Sequence, residues 1–342
     1  MAKRQLNKQQ NQRIADNRSS LVASDDALSR GLVVAHYGME VELLELDGDS
    51  CTSLPAQRCH FRATIETIVC GDIVLWRKPS QGEGLGVVES VLERQSVLLR
   101  PRPYEDPKPV AANLDRVLIV IAPEPEPKTT LIDRYLIAIE NAGLPAALLI
   151  NKTDLLEDES DARADELASI ELTYRQLGYP VYRASALQAA ASTNAELVAL
   201  LARGNAILVG QSGVGKSSLI NALCASSAAA VGDVSSGSRK GRHTTTTAEL
   251  FWLDKERRLD SGKIIDSPGI REFGLWHLDR QQVVEGLPEF FELAGQCKFR
   301  DCTHHGEKGC AIEAAYERGD IHPTRMASFR AIIDEAEAAN KR

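Results

Sequence analysis

The pattern of apolar and polar positions divides the chain into regions of different character. Between residues 31 and 101, short apolar or alternating runs are separated by turn residues. Closely spaced runs of this kind are typical of a small β-barrel, and an OB-fold is the expected member of that class. The predicted strands are Leu32–Tyr37, Val41–Leu46, Ile65–Val69, Gly71–Trp76, Gly86–Val91 and Ser96–Arg100.

From about residue 112 the pattern changes to continuously apolar runs that alternate with helical segments. The first two runs are Val117–Ile121 and Pro145–Ile150, and Ala206–Val209 follows later. Strands buried on both faces have no polar side, so this pattern predicts a parallel sheet covered by helices on both sides. We therefore expect an α/β domain over residues 112–278.

Two other segments complete the predicted organisation. Prolines crowd the stretch Pro101–Pro109, which predicts a stiff linker and a domain boundary rather than a regular element. Helical patterns over Asp279–Leu293, Ile312–Arg318 and Pro323–Asn340 predict a helical domain over residues 279–342.

A glycine-rich sequence follows the apolar run Ala206–Val209. It reads Gly210-Gln211-Ser212-Gly213-Val214-Gly215-Lys216-Ser217 and is followed by Ser218. G-x-x-x-x-G-K-S between a strand and a helix is the pattern of a P-loop, whose backbone N–H groups surround the β-phosphate of a nucleotide. Lys216 is expected to contact the β- and γ-phosphates, and Ser217 to be a ligand of Mg²⁺.

The expected base specificity depends on two further motifs. Asn151-Lys152-Thr153-Asp154 directly follows the predicted strand Pro145–Ile150 and matches the N-K-x-D guanine-recognition motif of GTPases. The aspartate carboxylate accepts hydrogen bonds from the guanine ring N–H and amine, whereas adenine presents a different edge. Ser185-Ala186 follows another predicted strand and matches the S-A motif that contacts guanine through its backbone. The combination predicts GTP and GDP as ligands.

Two polar segments provide candidates for hydrolysis. Asp266 begins a D-x-x-G motif, so it is expected to orient Mg²⁺ through water while the Gly269 N–H contacts the γ-phosphate. Thr246, within a run of four threonines, is the residue we select to close over Mg²⁺. His243 is a candidate for orienting the attacking water, with a solvated loop histidine as the alternative. Ile270 stands where many GTPases carry a glutamine, which predicts slow turnover by the chain alone.

The order of these motifs is unusual. Most GTPases carry the P-loop first and N-K-x-D last, whereas here Asn151–Asp154 precedes Gly210–Ser217. A chain that is cut in a different loop can still place the same strands in one sheet, so we predict a circularly permuted GTPase domain. The segment after D-x-x-G then leads directly into the C-terminal helices, so loss of the γ-phosphate is expected to move the C-terminal domain.

The C-terminal domain contains a cluster of potential metal ligands. Cys297, Cys302 and Cys310 lie in one short stretch with His304 and His305. Three thiolates and one imidazole form the ligand set of a structural Zn²⁺ site, and by spacing alone either histidine can complete it. We therefore predict a multidomain α/β protein that has an OB-like barrel, a permuted P-loop domain and a helical domain with one zinc ion.

The net charge of −8 argues against a chain that coats nucleic acid along its whole length. Residues 1–18 differ, because five Lys and Arg residues stand against Asp16 alone. Residues 1–30 are therefore predicted to be a disordered basic arm, which either binds RNA or is merely solvated. No apolar run reaches the about 20 residues of a membrane span, and the start lacks a secretory h-region. We expect a cytoplasmic monomer without membrane contact.

Taken together, these features resemble one bacterial family. The barrel, N-K-T-D before G-Q-S-G-V-G-K-S, G-R-H-T-T-T, D-S-P-G and C-x4-C-x-H-x5-C are similar to the small ribosomal subunit-dependent GTPases of the RsgA or YjeQ family, over residues 31–342. The resemblance implies a late assembly factor that binds the small subunit and its rRNA near the decoding region and leaves when subunit-stimulated hydrolysis occurs. It also implies that the zinc ligands are Cys297, Cys302, His304 and Cys310.

Two other functions fit parts of the sequence. Ile270 favours a nucleotide-gated RNA-binding module in which hydrolysis is incidental. A metabolic kinase would also use a P-loop, but it gives Asn151 and Asp154 no purpose. A preference for ATP over GTP would favour the kinase, and assembly supported by a hydrolysis-dead variant would favour the RNA-binding module.

Overall fold

We describe the fold from a computed structural model of the chain. It describes residues 28–48, 50–51, 55–62, 65, 67–79, 84–102, 105–156, 162–186, 195–228, 248–253, 259–266 and 278–340. Most of the predicted arm lies outside these ranges, as do the predicted site residues His243, Thr246 and Gly269. The first strand begins at Leu28, so the predicted arm extended too far toward the barrel.

Five strands form the N-terminal barrel, with alternate side chains directed inward. They are β1 (Leu28–Tyr37), β2 (Glu40–Asp47), β4 (Gln57–Phe61), β5 (Ile73–Arg77) and β6 (Gly86–Val91), and the short β3 (Ser50–Cys51) pairs with β2. Pairing runs from β1 through β2, β4, β6 and β5 and back to β1, which closes the ring. The predicted OB-like barrel is confirmed.

One strand of the barrel differs from the sequence prediction. The segment Ile65–Val69 is not a strand where it is described; its Ile68 is buried in the barrel core. The third strand of the ring is β4 instead, in which Cys59 alone is fully buried. Gly86 pairs opposite Cys59 and has no room for a side chain, since a Cβ there would lie 2.6 Å from Cys59 Sγ.

The proline-rich segment is a β-hairpin, so the prediction of an irregular linker was wrong. Strands β7 (Val97–Arg102) and β8 (Glu105–Ala112) pair antiparallel, with Pro109 opposite Leu99. A two-stranded sheet has only edge strands, so a proline can direct its missing N–H away from the partner. Register shifts between Leu98 and Leu99 and between Arg100 and Arg102 accommodate the irregular backbone.

The α/β domain contains the predicted parallel sheet, with one antiparallel strand, β13, at its end. Its strands are β9 (Arg116–Ile121), β10 (Ala146–Ile150), β11 (Val181–Arg183), β12 (Asn205–Val209), β13 (Ala248–Trp252) and β14 (Lys263–Asp266), in the order β11-β10-β9-β12-β14-β13. The helices are α1 (Thr129–Asn141), α2 (Ala162–Gln176), α3 (Ala195–Leu201) and α4 (Lys216–Ala228). Along β9, Val117 and Ile119 enter one apolar cluster and Leu118 another, which is why the strand is apolar from Val117 onward.

The barrel and the α/β domain share one sheet. The last strand of the α/β sheet, β13, pairs antiparallel with both β14 and β1, with Ala35 opposite Glu249 and His36 opposite Ala248. The thiol of Cys70 in the barrel donates to the carbonyl oxygen of Ala248 across 3.2 Å. The two units are therefore joined by backbone hydrogen bonds as well as by the chain.

The C-terminal region is helical, as predicted, but its first helix is divided. Helices α5 (Arg280–Glu285) and α6 (Pro288–Ala294) replace the single predicted helix, because the residue before a proline disfavours helical backbone. They are followed by α7 (Ala311–Glu317) and α8 (Pro323–Asn340). None of the helices in the described parts of the chain has the length and apolar character of a membrane span.

A buried polar network fixes the C-terminal helices to the α/β domain. Arg325 on α8 is 2% exposed and pairs with Asp133 on α1, which also accepts a hydrogen bond from Tyr174. The same guanidinium donates from Nε to Glu289 Oε1 across 2.8 Å. Ile137 of α1 belongs to the apolar cluster of the C-terminal helices. This packing positions the C-terminal region on the α1 side of the sheet.

Candidate functional site

The P-loop connects β12 to α4 at the carboxyl edge of the sheet, where α/β folds bind ligands. Gly210, Gly213 and Gly215 have φ angles of 142°, 89° and 89°, which side chains rarely adopt. A Cβ at Gly210 would lie 2.2 Å from the carbonyl oxygen of Val120. Lys216 Nζ donates to the carbonyl oxygens of Gly210 and Gln211 across 2.6 and 2.9 Å, so its charge lies at the mouth of the loop.

Two oxygen ligands suited to Mg²⁺ lie together beside this loop. The Ser217 hydroxyl donates to Asp266 Oδ2 across 3.1 Å, which connects the P-loop to the end of β14. A hydroxyl and a carboxylate next to a phosphate site fit the preference of Mg²⁺ for hard oxygen ligands. The other predicted members of this region, Thr246, His243 and Gly269, lie outside the described residues.

The N-K-x-D segment lies directly against the P-loop. Asn151 is fully buried, and its Nδ2 donates to the carbonyl oxygen of Val214 across 2.9 Å. The backbone N–H and the hydroxyl of Thr153 both donate to the carbonyl oxygen of Ala184, across 3.2 and 3.1 Å. The Ser185 hydroxyl donates to the Asp154 carboxylate. The structure thus brings the phosphate motif and both guanine motifs into one site.

The segment between β9 and α1 adds two residues that no sequence motif indicated. Lys152 Nζ donates to the carbonyl oxygen of Glu124 across 2.8 Å. Pro125 lies beside the P-loop, with its Cδ 3.6 Å from the position of a Cβ at Gly213. Both contacts use backbone or apolar atoms, so no sequence motif indicates them.

Gly213 and Gly215 form a matched pair for testing this arrangement. Both have φ angles of 89°, but a Cβ at Gly215 would lie 2.5 Å from Asn151 Nδ2, whereas one at Gly213 would make only ordinary contact with Pro125. We expect Gly215→Ala to weaken binding of a fluorescent GDP analogue at least about tenfold more than Gly213→Ala, since steric conflict adds to the about 1–3 kcal/mol of backbone strain. Equal losses in the two variants would contradict the contact between Asn151 and the P-loop.

The predicted metal ligands converge in the C-terminal region. One ligand atom from each of Cys297, Cys302, His304 and Cys310 lies within 4.8 Å of the others. His304 Nδ1 lies 3.7 Å from Cys297 Sγ and 3.6 Å from Cys310 Sγ. A tetrahedral Zn²⁺ site with ordinary bond lengths separates sulfur and nitrogen ligands by about 3.6 Å. The donor set and its spacing therefore fit zinc.

Only one of the two adjacent histidines takes part in this cluster. His304 is 7% exposed, and burial lowers its pKa, which favours the neutral imidazole that has a lone pair for a metal. Its ring packs against Phe329, with the ring centroids 6.3 Å apart. His305 lies outside the cluster, with Nε2 3.7 Å from Asp334 Oδ1.

Comparisons with known proteins agree with this geometry. Residues 91–276 match the family model described as RsgA GTPase. The chain is 45% identical to "Small ribosomal subunit biogenesis GTPase RsgA" of Alcanivorax borkumensis, over 98% of this chain and 96% of the relative. It is 44% identical to the protein of the same name from Marinobacter nauticus, over 98% of this chain and 97% of the relative.

Two solved structures have the same fold. The crystal structure of YjeQ from Thermotoga maritima matches with a TM-score of 0.68 at 29% identity, over 90% of this chain and 98% of that one. The crystal structure of YloQ, described as a circularly permuted GTPase, matches with a TM-score of 0.66 at 23% identity, over 93% and 98%. The fold is thus shared with proteins of known structure.

Proposed function

The chain belongs to the RsgA GTPase family, and on that basis we propose that it hydrolyses GTP to GDP and phosphate in the biogenesis of the small ribosomal subunit. The observation that supports this most strongly is the hydrogen bond from Asn151 Nδ2 to the carbonyl oxygen of Val214, because it joins the N-K-x-D segment directly to the P-loop. The names of the curated relatives support the ribosomal role.

In the proposed site, each described residue has a separate task. The Asp154 carboxylate would accept hydrogen bonds from the guanine base, while Ser185 holds it in place. Lys216 would exchange its carbonyl partners for the β- and γ-phosphate oxygens when GTP binds. Ser217 would be a ligand of Mg²⁺ and Asp266 would orient the ion through water, and Mg²⁺ would neutralise charge on the phosphate oxygens. Thr246 is proposed to close over Mg²⁺, and Gly269 and His243 are proposed to complete the γ-phosphate side.

We propose that the small subunit completes this site. Ile270 follows the D-x-x-G motif in place of a water-orienting glutamine, so the isolated chain is expected to turn over slowly. Contacts with rRNA are proposed for the basic arm and for Lys298 and Arg300 in the metal-binding loop. The proposed working form is a cytoplasmic monomer that acts late in maturation and leaves the subunit when GTP is hydrolysed.

The zinc proposal concerns the stability of the C-terminal region. Cys297, Cys302, His304 and Cys310 would hold one Zn²⁺ per chain, and a closed set of four protein ligands leaves no open position for substrate. Cys310 lies in the same apolar cluster as Phe290 and Phe329. A zinc ion at this position would therefore stabilise the fold of the C-terminal helices rather than take part in hydrolysis.

The proposed function is tested by measuring phosphate release from GTP by the purified chain alone, with small ribosomal subunits and with large subunits as the matched control. We expect the small subunit to accelerate hydrolysis by orders of magnitude, as GTPase activators do. The variant Lys216→Ala should show no such acceleration, since it lacks the charge that contacts the transferred phosphoryl group.

Two outcomes would contradict the proposal. GTP binding without stimulation by either subunit would favour a nucleotide-gated RNA-binding module in which hydrolysis is incidental. Tighter binding of ATP than of GTP would contradict the proposed guanine site itself.

A further inference from the structure

Glu307 lies in the metal-binding loop but belongs to none of the recognised motifs. Its Oε1 accepts hydrogen bonds from the Thr303 backbone N–H, across 2.8 Å, and from the Thr303 hydroxyl. Its Oε2 accepts the His305 backbone N–H across 2.8 Å and lies 3.7 Å from Cys302 Sγ. One carboxylate therefore holds the backbone on both sides of His304.

The residue between these two hydrogen bonds has an unfavourable backbone conformation. His304 has a φ angle of 62°, in the left-handed region that residues with a side chain rarely occupy. Such a conformation persists only where the surrounding contacts enforce it. The Glu307 carboxylate supplies those contacts, because it fixes the N–H groups of both neighbours of His304.

This conformation directs the imidazole toward the cysteines. His304 Nδ1 lies within 3.7 Å of two of the sulfur atoms. A change of the φ angle at His304 turns its Cα–Cβ bond relative to the loop, so the position of the ring depends on this conformation. From this geometry we propose that Glu307 is a positioning residue for zinc, which holds the loop in the shape that presents His304 Nδ1 to the metal. The inference rests on the zinc site proposed above.

A glutamine cannot replace this carboxylate. Each of the two Glu307 carboxylate oxygens accepts a hydrogen bond from a backbone N–H, whereas a glutamine side chain offers one oxygen and one NH₂ donor. In either orientation of the amide, a donor would therefore face a backbone N–H. Glu307→Gln keeps the size of the side chain and removes only the second acceptor and the charge.

The test is the zinc affinity of the full chain, measured by competition with a chromophoric chelator. Loss of a residue that orients a ligand typically lowers metal affinity about 10- to 100-fold, and we expect this loss in Glu307→Gln. The matched control is Glu317→Gln, at the exposed end of α7, which should bind zinc as the unmodified chain does. Affinity for GDP should be unchanged in both variants, which shows that the α/β domain remains folded.

A second variant and a second measurement separate the possible results. Thr303→Val removes the hydroxyl but not the backbone N–H, so a loss of only a few-fold is expected. The absorption spectrum of the Co²⁺-substituted chain should show that Glu307→Gln retains tetrahedral thiolate coordination. Zinc affinity in Glu307→Gln within about twofold of the unmodified chain would overturn the positioning role. An unmodified chain that binds no zinc would instead overturn the zinc site.

Discussion

Replacing Asp154 by asparagine is expected to lower the affinity for GTP by about 10²- to 10⁴-fold. The carboxylate offers two acceptors to the guanine ring N–H and amine, and each hydrogen bond to a charged group contributes about 1.5–3 kcal/mol. Asparagine keeps one acceptor and turns a donor toward the guanine amine. The Ser185 hydroxyl that now donates to Asp154 can also pair with an amide, so the site should remain folded.

The same variant should gain affinity for xanthosine triphosphate. Xanthine has a carbonyl oxygen where guanine has the amine, so it accepts the hydrogen bond that the asparagine NH₂ donates. Asp165→Asn, on the exposed surface of α2, is the control for a lost charge. Titration of both variants with fluorescent GTP and XTP analogues measures the effect. Unchanged GTP affinity in Asp154→Asn would exclude this aspartate from base recognition.

Replacing Cys310 by serine is expected to unfold the C-terminal helices under conditions in which the unmodified chain is folded. Binding of a structural Zn²⁺ contributes about 10–16 kcal/mol in small zinc domains, and this free energy stabilises the fold. Cys310 is 3% exposed and packs in the cluster that contains Phe329 and Ile332, so its loss also affects the core. Serine is a poorer zinc ligand than cysteine because its hydroxyl is not readily deprotonated.

Zinc content and limited proteolysis test this expectation. Cys310→Ser should retain less than one zinc per chain and be cleaved within residues 278–340, whereas GDP binding by the α/β domain persists. Cys51→Ser, in the short strand β3 of the barrel, is the control and should retain the metal. A Cys310→Ser chain that still binds one zinc tightly would show that this thiolate is not a ligand.

The parts of the fold that the sequence predicted are those in which burial leaves no choice of residue. β10, β9 after Arg116 and β12 after Asn205 are apolar because their side chains pack into apolar clusters on both faces of the sheet. The P-loop was also predictable from the sequence, because Gly210 and Gly215 have no space for a side chain and must be glycine. Pattern and structure agree where one physical requirement determines each position.

The errors occurred where tertiary contacts determine the structure. β4 contains only one fully buried side chain, so it reads as a polar loop, although β2 and β6 pair with it on either side. The strand β8 carries two prolines, and its pairing with β7 depends on register shifts that the sequence pattern does not indicate.

The roles of Glu124 and Glu307 could not be predicted from the sequence either. The carbonyl oxygen of Glu124 accepts a hydrogen bond from the side chain of Lys152. The carboxylate of Glu307 accepts hydrogen bonds from two backbone N–H groups. Carbonyl groups occur at every position and glutamates are common, so neither produces a recognisable motif. Structure alone identifies which of them are used.

The pairing of β13 with β1 has a consequence for how the chain can be divided. β13 is the outermost strand of the α/β sheet, and the barrel covers its otherwise open edge. An uncovered edge strand is a template for pairing with other chains and promotes aggregation. The barrel is synthesised first, so its strand β1 is already available when β13 is made. A fragment that begins after the barrel lacks this cover, and the boundaries of an isolated nucleotide-binding domain cannot be chosen from its motifs alone.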